Sequence, residues 1–199
     1  MQKVLLSLGL LAGISFAAQA QTGVRFGLKA GASLTNVTST SQDNKFGFHG
    51  GGLVNLGIND MFSIQPEILY SNKGYKVKGG ANDLRVALNY IDVPVLVKVA
   101  TGSTGLFFEL GPQVGFRIAA DIKDNDNSSN FKDYTKSVDF GYAAGLGFQL
   151  ESGPMVGLRY NGGFTNIGKS GTINGVQVTA TDAKNSAFQL YVGYVFGGK

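Results

Sequence analysis

Arg25, Lys29, Glu67, Asp92, Lys98, Glu109, Arg117, Asp139 and Arg159 share one property: each sits in the polar phase of a stretch whose apolar residues recur at every second position. Charges of both signs on one face can line a bore that conducts or binds a solute. They can equally fill a narrow interior by pairing with one another, because an unpaired buried charge is costly. His49 is the single histidine, and a register through the turn at Asn59-Asp60 sets it opposite Ser71. A Ser and a His near a barrel rim are the parts of an acyl-transfer site, but a nucleophile needs its base in reach and a third group to orient that base. No third group is evident. Asp124, Asp126 and Ser128 have the spacing that opens a calcium loop, yet Ser129 stands where such a loop needs glycine and Thr135 where it needs glutamate. With no cysteine in the chain there is neither a thiolate metal site nor a disulfide framework. No catalytic, cofactor or metal site is expected.

Strands must position these charges. In residues 106–121, LFFELGPQVGFRIAAD, one phase reads Leu, Phe, Leu, Pro, Val, Phe, Ile, Ala. The other, Phe107 apart, is small or polar and carries Glu109, Gln113, Arg117 and Asp121. Alternation is the strand period, and this run is nearly three times the usual strand of about 5–6 residues. Similar segments are expected at 24–34, 46–58, 62–73, 84–99, 138–150, 155–166 and 187–196, which makes eight strands. The connectors between them alternate long and short, with long ones near 35–45, 74–83, 122–136 and 167–186 and a small hairpin around Asn174-Gly175.

Even strand number, tight turns at one end and long loops at the other describe an all-β, eight-stranded antiparallel up-and-down transmembrane β-barrel. A soluble barrel would have to crowd Phe46, Phe108, Phe116, Phe140, Phe148 and Phe164 into its lumen. The opposite phase, rich in Gly, Ala and Ser, fits the narrow bore of about eight strands far better. The apolar phase therefore faces outer-membrane lipid. Phe46, Tyr70 and Tyr142 at one rim, and Phe62, Phe148 and Phe196 at the other, would form the aromatic girdles. Arg25, Lys29, Glu67, Lys98, Glu109, Arg117 and Arg159 form a structural charge network in the lumen, with Lys98 and Glu109 paired diagonally beside the turn at 100–105.

Local signals refine this plan. Gly50-Gly51-Gly52 inside the second strand marks a bend or a close backbone contact. The apolar phase of 84–99 shifts by one residue at Tyr90–Ile91, which predicts a bulge there. Pro66, Pro94 and Pro112 cannot donate to a ladder and predict an irregular wall near the short turns.

Residues 1–20 are a separate segment. MQK is a positive n-region, residues 4–16 an apolar h-region too short to span a bilayer, and Ala18-Gln19-Ala20 an A-x-A site. Cleavage is expected after Ala20, leaving 21–199 as the barrel domain. The net charge of +4 is scattered rather than clustered, so no nucleic-acid partner is expected.

RFGLKAG at 25–31, FSIQPEILYSNKG at 62–74, YIDVPVLVK at 90–98 and FQLYVGYVF at 188–196 resemble the PorT-family outer-membrane β-barrel. Gln65-Pro66-Glu67-Ile68 followed by Val93-Pro94-Val95-Leu96 is the most specific part. The resemblance spans essentially all of 21–199. It implies an eight-stranded barrel in the outer membrane of a Gram-negative bacterium, and its namesake is associated with protein secretion. The closing strand resembles the aromatic-ended signal read by the barrel-assembly machinery during biogenesis, although Gly197-Gly198-Lys199 follow Phe196. The expected role is non-enzymatic, structural or interactive, with a protein partner at the outer loops. A narrow channel or small-ligand transport barrel is the alternative, followed by a lipid-modifying outer-membrane enzyme.

Overall fold

A computed structural model describes residues 23–38, 43–77, 84–124, 127–130, 136–168, 171–173, 176–178 and 183–197. The expected leader and its cleavage site lie outside these residues. The strands run β1 (Val24–Val37), β2 (Asp43–Gly57), β3 (Phe62–Val77), β4 (Leu84–Ala100), β5 (Leu106–Asp124), β6 (Asn127–Asn130), β7 (Val138–Gln149), β8 (Pro154–Gly163), β9 (Gly171–Ile173), β10 (Val176–Val178) and β11 (Asn185–Val195). Eight of them form the wall, in the order β1-β2-β3-β4-β5-β7-β8-β11. The ladder from Gly27↔Val195 to Val37↔Asn185 joins β11 back to β1, and every pairing is antiparallel. Closure leaves the wall no free edge, which is what a bilayer demands of a sheet.

Alternation orients the wall as the sequence predicts. Leu28, Ile68, Leu110, Leu146, Leu158 and Val192 all face outward around the circumference, between 46 % and 63 % exposed. Inside, Lys29, Glu67, Glu109, Arg117 and Arg159 are each at most 6 % exposed. The barrel is inside-out relative to a soluble protein, with its oily face placed to meet lipid. Phe48–Tyr70, Tyr142–Phe164 and Tyr160–Phe188 ring pairs, with centroids 5.7, 5.3 and 4.9 Å apart, belong to the girdle toward the long loops. Tyr194–Phe196, at 5.1 Å, lies at the other rim.

Two local expectations come out differently, and a third holds at one position only. First, the long polar connector at 122–136 is partly strand: β5 runs on to Asp124 and β6 folds back on it, pairing Asp121↔Asn130 through Asp124↔Asn127. The calcium-loop spacing thus falls on a hairpin, with Asp124 and Ser128 on its two arms and Asp126 outside the described residues. The hairpin expected at Asn174-Gly175 is flanked by β9 and β10, which pair Val176↔Ile173.

Second, β4 keeps its phase. Val86, Leu88, Tyr90, Asp92, Leu96 and Lys98 all point inward and are buried. The irregularity lies across the β4–β5 ladder, where Asn89↔Ala119 is followed by Tyr90↔Arg117, so the extra residue, Ile118, is on β5. There the inward phase switches from Arg117 to Ala120. What changes along β4 is the solvent outside, not the strand. Below the Tyr70–Ile91–Phe116 level the wall meets lipid. Above it the outward face carries Asn72 and Asn89, hydrogen-bonded to each other, and Val37, Val86, Leu88, Tyr90, Ala120 and Ile167 pack together inside. That is the polarity of a soluble protein, as expected of a barrel end that projects into water.

Third, of the three consecutive glycines only Gly51 is sterically required. A Cβ there would fall 2.0 Å from the Ile68 carbonyl oxygen, whereas at Gly50 and Gly52 the nearest atoms are 3.4 and 3.9 Å away. The prolines behave as expected. Ladder pairing lapses between Pro66↔Val95 and Leu69↔Asp92, and between Pro94↔Gln113 and Val97↔Leu110, without any change of register.

Candidate functional site

Among the described residues, charged, buried side chains from every part of the wall converge in the bore. Its centre is Arg159 on β8. Nη1 and Nη2 donate to the two oxygens of Glu67 at 2.8 and 2.9 Å, and Nε donates to Glu109 Oε1 at 2.7 Å. β8 and β3 are four positions apart in a ring of eight, so the Arg159–Glu67 fork crosses the full diameter. Planar guanidinium and carboxylate suit this two-point bond, and charge assistance makes it strong. Lys29 on β1 adds contacts of 3.2 and 3.3 Å to Glu67, and Gln65 donates to it at 2.8 Å. Tyr191 on β11 donates to Glu109 at 3.0 Å, and its ring carries the Lys29 ammonium 3.7 Å from its centroid. Two cations and two carboxylates balance.

Alternation on each strand makes the cluster reachable. Glu67 follows Gln65 by two and Glu109 follows Phe107 by two, so each projects into the bore at neighbouring heights. Small residues leave the space: a Cβ on Gly145 would lie 2.9 Å from Glu109 Oε1, and one on Gly157 would lie 2.5 Å from the Tyr191 ring.

The other expected members lie apart from this centre. Lys98 and Glu109 are register partners, but they form no ion pair. Lys98 Nζ instead donates to Gln149 Oε1 at 2.6 Å and sits 3.8 Å from the Phe107 ring centroid, while Glu109 Oε1 accepts from Arg159 and Tyr191 and Glu109 Oε2 is left without a partner. Arg25 reaches Asn55 Oδ1 at 3.4 Å near the short turns. Arg117 Nε donates to the Lys136 carbonyl oxygen at 2.9 Å near the long loops. Asp92 pairs with Lys73 at 2.8 Å, and Asp139 accepts from Asn185 at 2.7 Å and Thr165 at 2.6 Å. Lys73, Gln65, Tyr191 and Asn185 were absent from the expected set. Lys73 continues the inward phase of β3, so its position was readable by extending the alternation two residues past Ser71. Tyr191 alternates with Leu190 and Val192, so parity along the closing strand places it inward as well; its bond to Glu109 on another strand has no local sign.

His49 does pair in register with Ser71. The expected Ser71–His49 couple does not form, however: His49 Nδ1 is hydrogen-bonded instead to Ser33 Oγ at 2.9 Å, while His49 Nε2 and Ser71 Oγ are buried without partners. Among the described residues no group of His, Asp and Glu is arranged to hold a metal ion.

From the short turns inward, the bore contains a vestibule of about 260 Å³, then the buried group Leu53, Phe107, Met155, Tyr191 and Val195, and the charge cluster at its centre. The apolar group around Leu88 and Tyr90 closes the outer end. Asn185, which donates across the bore to Tyr90 Oη at 3.2 Å, ties that group to the opposite wall.

Residues 17–169 match the model of a family described as the outer membrane protein beta-barrel domain. No curated protein matches the sequence. Among solved structures, the chain resembles Ail, the attachment invasion locus protein of Yersinia pestis, at 15 % identity with a TM-score of 0.51, covering 88 % of this chain and 100 % of that one. It also resembles Neisserial surface protein A at 17 % identity with a TM-score of 0.53, covering 86 % of this chain and 98 % of the other. At these identities the likeness concerns the fold.

Proposed function

Because the chain belongs to the outer membrane protein beta-barrel domain family, we propose that it is a non-enzymatic surface protein: the barrel anchors it, and its long outer connections contact ligands or partner proteins. The observation that supports this reading is the crossing of the bore by Arg159, Glu67 and Glu109, with the apolar group of Leu88 and Tyr90 stacked above. A continuous aqueous path would have to break charge-assisted bonds between opposite walls and wet an apolar layer. Recognition then falls to groups outside the sealed bore. Reconstitution in a planar bilayer tests this directly. Current indistinguishable from the lipid background is expected, and discrete conductance steps would overturn it in favour of a narrow channel. The PorT resemblance extends the proposal to a partner in protein secretion. Deleting the gene would then lower the amount of exported protein in the medium, and unchanged export would remove that extension.

A further inference from the structure

The vestibule between the short turns has a charge that the rest of the bore does not explain. It is walled by all three turns, through residues such as Asn59, Thr104 and Glu151, and Arg25, Lys98, Asn55 and Ser63 also line it. Lys98 is 5 % exposed, yet no carboxylate pairs with it. Its register partner Glu109 belongs to the central cluster, where Lys29 and Arg159 already balance Glu67 and Glu109 two against two. Gln149 and the Phe107 face, its direct partners, are neutral, so the ammonium makes no hydrogen-bonded ion pair. Arg25 is half-buried and its side-chain hydrogen bond to Asn55 is long at 3.4 Å. Buried cations normally carry a paired counter-charge, and here the buried Lys98 and the half-buried Arg25 both border the cavity.

We propose that this vestibule binds a small oxyanion, a carboxylate or phosphate, from the periplasmic side. The Lys98 ammonium meets it at the floor, the Arg25 guanidinium meets it from the wall, and the Ser63 hydroxyl, which accepts from Asn55 at 2.9 Å, has its own O–H left to donate. A volume of about 260 Å³ admits a metabolite-sized anion with some of its hydration. Passage stops there, since Phe107, Met155 and Tyr191 close the vestibule toward the central cluster. The site is thus a dead-end pocket, independent of whether the outer loops contact a partner. Asp60 and Glu151 stand exposed at the mouth and weaken the attraction from solution, so the affinity expected is modest.

The test uses the folded barrel in non-ionic detergent, with isotope-labelled backbone amides followed by nuclear magnetic resonance. Sodium acetate and sodium phosphate are titrated separately against sodium chloride at constant ionic strength. Saturable shifts confined to amides around Arg25, Ser63, Thr104 and Phe107 are expected, with a dissociation constant of about 1 mM. Lys98→Met removes the buried charge without a bulky change and should weaken binding about tenfold or more, as loss of a charge-assisted hydrogen bond does. Arg25→Gln, at a more exposed position, should weaken it less. An unboiled gel confirms that both variants fold. Three results would overturn the proposal: no saturable shift with either anion, shifts equal to those with chloride, or shifts unchanged in the Lys98→Met, Arg25→Gln double variant. Saturation by only one of the two anions identifies which chemistry the pocket takes.

Discussion

Arg159 and Glu67 are coupled across the diameter of the barrel, and a double-mutant cycle measures that coupling. Arg159→Met removes all three guanidinium bonds. Glu109 then keeps only Tyr191, and Glu67 keeps Lys29 and Gln65. Removing one partner of a buried pair costs about 3–5 kcal/mol, because the remaining charge stays buried. Glu67→Gln alone leaves Lys29 with no carboxylate within bonding distance and Arg159 with only Glu109. In the double variant the residual cluster holds one cation, Lys29, and one carboxylate, Glu109, so the charges balance again. The double variant should therefore be more stable than the sum of the single losses predicts, by about 2–3 kcal/mol. Urea unfolding in lipid vesicles supplies the numbers. The chain has eight tyrosines and no tryptophan, so tyrosine emission is the intrinsic probe, and the heat-dependent mobility of unboiled samples on a denaturing gel is an independent one. If the two losses add to within about 0.5 kcal/mol, the side chains act independently and the sealed-bore reasoning fails.

Gly51→Ala should abolish the compact unboiled form, since the new Cβ would lie 2.0 Å from the Ile68 carbonyl oxygen, whereas Gly52→Ala should fold as the parent does; equal behaviour on the same gel would contradict the geometry. Leu110→Arg puts a charge on the lipid face of β5 at a residue 60 % exposed and should destabilise the barrel by about 2–4 kcal/mol if it lies near the bilayer midplane; a urea midpoint matching the parent's would place that position outside the bilayer. His49→Ala removes the bond to Ser33, worth about 1 kcal/mol, and should leave the lipid composition of the outer membrane unchanged; altered acyl chains in a lipid extract would revive an enzymatic role.

Most of the wall was legible because lipid and bore impose opposite chemistry on alternate residues of a strand. Strand number, the short turns and the outward set containing Leu28, Ile68 and Leu158 follow from that period alone. The same rule misled at Leu84–Tyr90. A change of apolar phase has two physical causes: an inserted residue, or a change in what lies outside the wall. Pattern cannot tell them apart. In β4 the second cause operates, and the inserted residue is Ile118, in a strand whose apolar period ran unbroken.

The sequence by itself determined which charges enter the bore, since parity along each strand decides that. Only the tertiary structure decided which charges meet. Lys98 and Glu109 are neighbours by register yet do not pair, while Glu67 pairs with a residue 92 positions away on the opposite wall. Local register reports contacts along a ladder. Contacts across the diameter depend on closure of β11 onto β1, on the heights that closure gives each strand, and on the room left by glycines such as Gly145 and Gly157. Closure brought Arg159 within reach of both glutamates and left the Lys98 ammonium facing an open vestibule.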